Sequence, residues 1–160
     1  MKKFSILAVM ILIVILTTCL VGCDFGDPIE FTMEELVLHG DTEMNEHSET
    51  AKKIDSREEL LSYMNFSSNF NMELIKKFDD SYFEENSLII LTHYVYDDET
   101  YEVKDVKVKD TKLTVKLSRK YVEGFFTQIY YDFIRVNKND VENVTQCSVV
   151  TSSTSISFGF

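Results

Sequence analysis

Two stretches of this chain are apolar on both of their alternating faces, and they constrain its fold most. Leu88-Ile89-Ile90-Leu91 is an unbroken apolar run that continues through Tyr94, Val95 and Tyr96. Side chains of a strand point alternately to its two faces, so such a run reads as a strand buried on both sides. Residues 125–138 behave alike: Phe125, Ile129, Tyr131 and Phe133 share one parity, and Phe126, Tyr130, Ile134 and Val136 share the other. This second strand is expected to lie centrally in a sheet.

The neighbouring segments are simpler. Tyr101 and Val103 fall in one parity but Val106 and Val108 in the other, a switch that predicts a β-bulge near Lys104-Asp105. Leu113, Val115 and Leu117 alternate with Lys112, Thr114 and Lys116, as in a half-exposed strand. Asp97 to Thr100 and Asn137 to Asp140 read as turns, Ser118 to Gly124 as a loop, and Val141 to Val150 as a further strand. The tail Thr151 to Phe160 fits an edge strand or a loose end. Nearer the N-terminus, Ile29 to His39 is expected to be a strand, interrupted near Glu34-Glu35. Thr32 with Glu35 also fits the start of a helix. Residues 40–53 are polar and read as a loop. Ile54 to Phe66 reads as a helix opened by a capping box of Ser56 with Glu59, or of Asp55 with Glu58. Met72 to Phe78 reads as a second helix, with Tyr82 and Phe83 plugging the core beyond it. The expected class is α+β: two short helices packed on one face of an antiparallel sheet of about four to six strands.

The N-terminus carries a different pattern. Met1-Lys2-Lys3 is cationic, Phe4 to Leu16 is apolar except for Ser5, and small residues lead into Leu20-Val21-Gly22-Cys23. That is the layout of a secretory signal. As a spanning helix, Phe4 to Val21 barely reaches the length of about 20 residues that a bilayer requires. The last four residues resemble the lipobox of bacterial lipoproteins. The resemblance implies transfer of a diacylglyceryl group to the Cys23 sulfur and cleavage by signal peptidase II between Gly22 and Cys23. Residues 1–22 would then be the signal peptide, 23–28 the lipidated N-terminus and tether, and 29–160 a single domain with a polar loop near 40–53. Two acyl chains anchor stably where one binds only marginally, so the expected location is the extracytoplasmic face of a bacterial cell membrane.

A second, looser resemblance covers residues 54–138. A helix of the Ser56-Arg57-Glu58-Glu59-Leu60 type, an aromatic turn before a buried strand (Tyr82-Phe83-Glu84-Glu85-Asn86-Ser87-Leu88-Ile89) and two following strands are similar to a group of small Gram-positive lipoproteins. They are similar also to the C-terminal domain of PrcB-type protease-complex subunits. Asp97 to Thr100 stands where that family has a glycine-rich turn. The resemblance implies an accessory or binding module and carries over no catalytic residue.

Charge and cysteine content bound the chemistry. The chain has a net charge of −11, and −13 once residues 1–22, with Lys2 and Lys3, are removed. That balance argues against nucleic acid as a partner. It argues equally against adhesion of the folded domain to an anionic membrane. Of three cysteines, Cys19 leaves with the signal and Cys23 is lipidated, so Cys147 remains and no internal disulfide forms. His39, Asp41, Glu43, Glu46, His47 and Glu49 mix imidazoles with carboxylates, but their spacing matches no metal-ligand pattern. Cys147 with His93 is the one pairing that suggests a nucleophile. Phe125-Phe126 and Tyr130-Tyr131 are candidates for stacking on sugars or holding a peptide. There is no Gly-x-Ser-x-Gly elbow and no Gly-rich phosphate loop. The expectation is a non-enzymatic binding or accessory module, without cofactor or catalytic residues. Its partners are the membrane, through its lipid, and an unidentified protein or peptide. The alternative is metal capture by the His39–Glu49 loop.

Overall fold

The computed structural model of the chain describes residues 26–40, 49–64, 76–96, 100–121 and 126–155. The described elements are β1 (Asp27–Pro28), β2 (Phe31–Gly40), β3 (Thr50–Ile54), α1 (Arg57–Met64), α2 (Tyr82–Glu85), β4 (Asn86–Tyr96), β5 (Thr100–Lys109), β6 (Lys112–Tyr121), β7 (Phe126–Asn137) and β8 (Gln146–Ser155). A 3-10 turn, Lys138–Val141, follows β7. The strands form two four-stranded sheets, here called A, in the order β1-β5-β6-β8, and B, in the order β2-β7-β4-β3.

This overturns the expected α+β class with two helices on one antiparallel sheet of four to six strands. The protein is an eight-stranded β fold with two short α-helices among the described residues. The reason is the double-sided strand pair. One parity of β4 and β7, with Ile89, Leu91, Ile134 and Val136, packs against Val103, Val106, Leu113, Val115 and Leu117 of sheet A. The other parity, with Leu88, Ile90 and Phe133, packs against Ile54, Leu60, Phe78 and Phe83. Each fully buried side chain of this size contributes about 1.5–3 kcal/mol, so both faces demand cover. A second sheet covers one and the helices cover the other.

One strand lies where a loop was expected, and another lies a few residues later than the strand expected at Val141 to Val150. β3 occupies part of the polar stretch 40–53, pairing Thr50 to Ile54 with Thr92 to Leu88. β8 runs on to Ser155 and lies parallel to β6, from Lys112↔Gln146 to Tyr121↔Ser155, so sheet A is mixed rather than antiparallel. β6 itself extends through Ser118–Tyr121, which read as loop. The bulge is present, between Val103 and Asp105. β2 also loses register between Met33 and Val37, at the interruption near Glu34-Glu35.

The sheets join at both sides. The chain leaves sheet A at Pro28 and enters sheet B at Phe31, with the Ile29 N–H donating to the Val106 carbonyl at 2.9 Å. On the far side β3 lies against β8. Gly26 opens β1 with φ of +90°, and a Cβ there would meet the Val108 carbonyl oxygen at 2.4 Å. Only glycine fits this close approach.

The start of α1 is capped as expected. The Glu59 N–H donates to Ser56 Oγ at 3.1 Å, and the Glu59 carboxylate accepts from the Asp55 N–H at 3.0 Å. Asp55 in turn accepts from the Ser87 hydroxyl at 2.6 Å and pairs with Lys53 at 2.9 Å, tying the helix start to β4 and β3. The elements expected at 65–75, 97–99, 122–125 and 156–160 lie outside the described residues, as do residues 1–25 with Gly22 and Cys23.

Burial raises the Asp55 pKa, but the Ser87 and Lys53 hydrogen bonds and the Lys53 and Lys138 charges outweigh it, and the net shift is downward. A depressed folded value means that this contribution is complete above the unfolded value of about 3.9 and disappears as pH falls through the folded value. Urea midpoints measured on acidification should therefore fall less steeply for Asp55→Asn than for the parent chain in that window. Parallel acid limbs would show that Asp55 carries no such linkage.

Candidate functional site

The inward-facing rows of the sandwich change character together at one end. On β4 the row Ile89, Leu91 continues to His93, and on β6 Leu113, Val115, Leu117 continues to Arg119. On β7 the row Val136, Ile134 continues to Asp132 and Tyr130. Val103 of β5 is followed by Tyr101, and Val149 of β8 by Thr151. Glu49, just before β3, stands two residues from Ala51. Strand alternation therefore delivers a polar layer from six neighbouring segments to one place.

Its hydrogen bonds are closely specified. His93 is fully buried and Asp132 is 2% exposed. A carboxylate can only accept, so His93 Nε2 donates to Asp132 Oδ2, at 2.8 Å. A guanidinium can only donate, so His93 Nδ1 presents its lone pair to Arg119 Nη2, 3.4 Å away. Arg119 Nη1 donates to the Tyr94 carbonyl at 2.6 Å. Its Nη2 pairs with Glu49 Oε1 at 2.5 Å, and the other Glu49 oxygen accepts from the Thr151 hydroxyl. The Tyr101 hydroxyl donates to Asp132 Oδ1 at 3.3 Å, and its ring meets His93 edge-on with centroids 4.3 Å apart. Burial, followed by the Asp132 charge, pushes the Tyr101 phenol well above its ordinary range.

Chemically, both His93 nitrogens are engaged, and both Glu49 oxygens are held. The arrangement resembles a catalytic dyad only in the His–Asp pair. It is a closed ion network that joins the two sheets. Such networks stabilise little over apolar packing, yet removing one member leaves buried charge uncompensated.

The residues singled out in the sequence are dispersed. His39 lies in β2, opposite Tyr130 in the β2–β7 ladder. Glu49 is bound to Arg119 and Thr151, while Asp41, Glu43, Glu46 and His47 lie outside the described residues. No group of three His, Cys, Asp or Glu among the described residues is placed to hold a metal ion. Cys147 pairs with Leu113, six residues along β6 from Arg119. At about 3.3 Å per residue, the thiol is roughly 20 Å from the His93 network. Burial raises the Cys147 thiol pKa, against the opposing effect of Lys53. Tyr130 belongs to the polar layer, in ring contact with His93 and Tyr101. Tyr131 packs on the helix side, so neither tyrosine forms an open stacking platform. A groove of about 530 Å³ between β2 and the 3-10 turn is lined by Glu30, Arg135, Asn137 and Asp140, with charges of both signs and no convergent donor set.

Asp132 and Arg119 were not among the residues picked from the sequence. The available signal was a charged residue in the inward parity of an apolar strand. No family model matches the chain, and neither curated proteins nor solved structures give a significant match.

Two measurements follow from this geometry. Arg119→Met strips the counter-charge from half-buried Glu49 and a donor from the Tyr94 carbonyl. It should destabilise the fold by about 3–5 kcal/mol in denaturant titration; a loss below about 1 kcal/mol would mean that the network is solvated. Cys147 should react slowly with a maleimide at neutral pH and quickly in urea. Equal rates would show an open, activated thiol.

Proposed function

We propose that this chain is a lipid-anchored extracytoplasmic module that works by binding or as an accessory to other components, without catalysis. The observation that carries the reading is Leu20-Val21-Gly22-Cys23 directly ahead of the first strand: Cys23 precedes Gly26 by three residues, and Gly26 is locked against β5. A lipid on Cys23 would thus attach almost without spacer to the folded domain. Further support comes from the buried polar layer, whose ring nitrogens and carboxylates are taken up by one another. No helix among the described residues is long and apolar enough to cross a membrane. The alternative of metal capture loses weight because Glu49, the described carboxylate of the His39–Glu49 set, is committed to Arg119.

The test is fractionation of cells expressing the parent chain and Cys23→Ala, with mass spectrometry of the N-terminal peptide. The parent should sediment with membranes and begin at a diacylglyceryl-modified Cys23. The variant should keep residues 1–22 or appear unmodified. A parent that retains Gly22-Cys23 uncleaved and lipid-free would refute the lipoprotein reading.

A further inference from the structure

The sign of the whole chain hides a strong local asymmetry. Residues 100–121, the β5–β6 hairpin, hold seven basic residues against three acidic ones, a net +4 in a chain of −11. Arg119 points inward and is consumed by the buried network. The remaining six are lysines of the hairpin. On β6 the inward row is Leu113, Val115, Leu117 and Arg119, so the outer row is Lys112, Thr114, Lys116, Ser118 and Lys120. Lys107 pairs with Thr114 and Lys109 with Lys112, which adds both to the same face. Lys104 and Lys107 have acidic neighbours, Glu102 and Asp105. Lys112, Lys116 and Lys120 are exposed and have no ion pair among the described residues. The side of the molecule beyond sheet B leans the other way: Glu58, Asp79, Asp80, Glu84 and Glu85 are exposed on or beside the helices, against Lys76, Lys77 and Arg135.

The chain enters the domain at the edge of this lysine face. β1 pairs with β5 at Asp27↔Val108 and Pro28↔Lys107, and Gly26 sits against Val108 and Lys109. From Cys23 to Gly26 are three residue steps, which span at most about 11 Å. That reach is close to the Debye length of about 10 Å at 0.1 M salt.

We propose that the outer face of sheet A is the membrane-facing surface of the anchored domain, with its lysines seated on anionic phospholipid headgroups. The proposal rests on lipid anchoring at Cys23. Three things then act together. The short tether places the β5 edge at the bilayer surface. Lys112, Lys116 and Lys120 are attracted to anionic headgroups. The acidic helical side is repelled, so the charge asymmetry turns the domain about its anchor until sheet A faces the lipid. The helical face and the β2 edge are thereby presented outward.

The test uses the full lipid-bearing protein, reconstituted from non-ionic detergent onto vesicles of phosphatidylcholine, alone or with roughly one-third phosphatidylglycerol. A membrane-impermeant acetylating reagent is applied, and modification of each lysine is followed by peptide mass spectrometry. Lys112, Lys116 and Lys120 should react at least about threefold more slowly on the anionic vesicles, and the difference should vanish at about 1 M salt. Lys76 and Lys77 should react equally on both. In a Lys112→Glu/Lys116→Glu/Lys120→Glu variant, which changes exposed positions, Lys104 and Lys109 should lose their protection while the protein still floats with the vesicles. Equal rates on the two vesicle types would overturn the proposal. Protection in isolated cell envelopes but not on vesicles would overturn it too, in favour of an anionic wall polymer. The N-terminal mass separates the two readings: a lipid on Cys23 with unprotected lysines refutes the docked face alone, whereas absence of the lipid refutes the anchor and this proposal with it.

Discussion

The β4–β7 ladder is the constraint on which the other elements depend. It pairs Asn86 with Asn137 at one end and Tyr96 with Phe126 at the other, and both of its faces are apolar through the middle. Register matters here more than in a sheet wetted on one side, because a slip of one residue exchanges the two faces. Such a slip would turn Ile89 and Leu91 toward the helices and Leu88 and Ile90 toward sheet A. It would also carry His93 and Asp132 out of reach of Arg119 and Tyr101. One pairing thus fixes the sheet-to-sheet core, the sheet-to-helix core and the polar layer together.

The polar layer has a structural logic of its own. Apolar side chains at these positions would give comparable stability, so energy alone does not explain the ions. Geometry offers more. β3 and β8 are edge strands of different sheets and share no backbone ladder, yet they close one side of the sandwich. Glu49 reaches Thr151 across that seam at one end, and Lys53 donates to the Val141 carbonyl at 3.0 Å near the other. Arg119 draws Glu49 to the centre of the layer. These directional contacts specify which strand lies beside which, where an apolar seam would slide.

The sequence was informative about single strands and poor about their partners. The double-sided runs, the bulge at Val103–Asp105 and the Ser56–Glu59 cap were legible because each is a local pattern of parity or spacing. β3 was not, since Thr50-Ala51-Lys52-Lys53-Ile54 shows only a small residue and one large apolar side chain inward. The far end of β8 was obscured by Ser and Thr, and the end of β6 by Arg119, a charge where alternation called for an apolar residue. The division into two sheets could not be read at all, because periodicity states which face is buried and not which element buries it. The polar layer was hidden for the same reason: His93, Asp132 and Arg119 come together only through the pairing of β4 with β7 and the packing of sheet A on sheet B.

Net charge is likewise silent about where on the surface its signs fall. A value of −13 for residues 23–160 is a sum over a surface wider than the screening length, whereas a nearby bilayer would feel only charges within about 10 Å. Sheet formation sorts the signs: alternation sends the β6 lysines to one side, and the helices carry their acids to the other. Gly26 then fixes the edge at which the chain enters the domain. Its left-handed backbone and close contact with Val108 pin the chain to the β5 edge, so a lipid on Cys23 would pull on the basic side of a dipolar body. An attachment on the helical side would pull instead on a surface that carries Glu58, Asp79, Asp80, Glu84 and Glu85. The orientation of such a domain therefore depends on where its first strand is paired, and that is a property of the fold rather than of its composition.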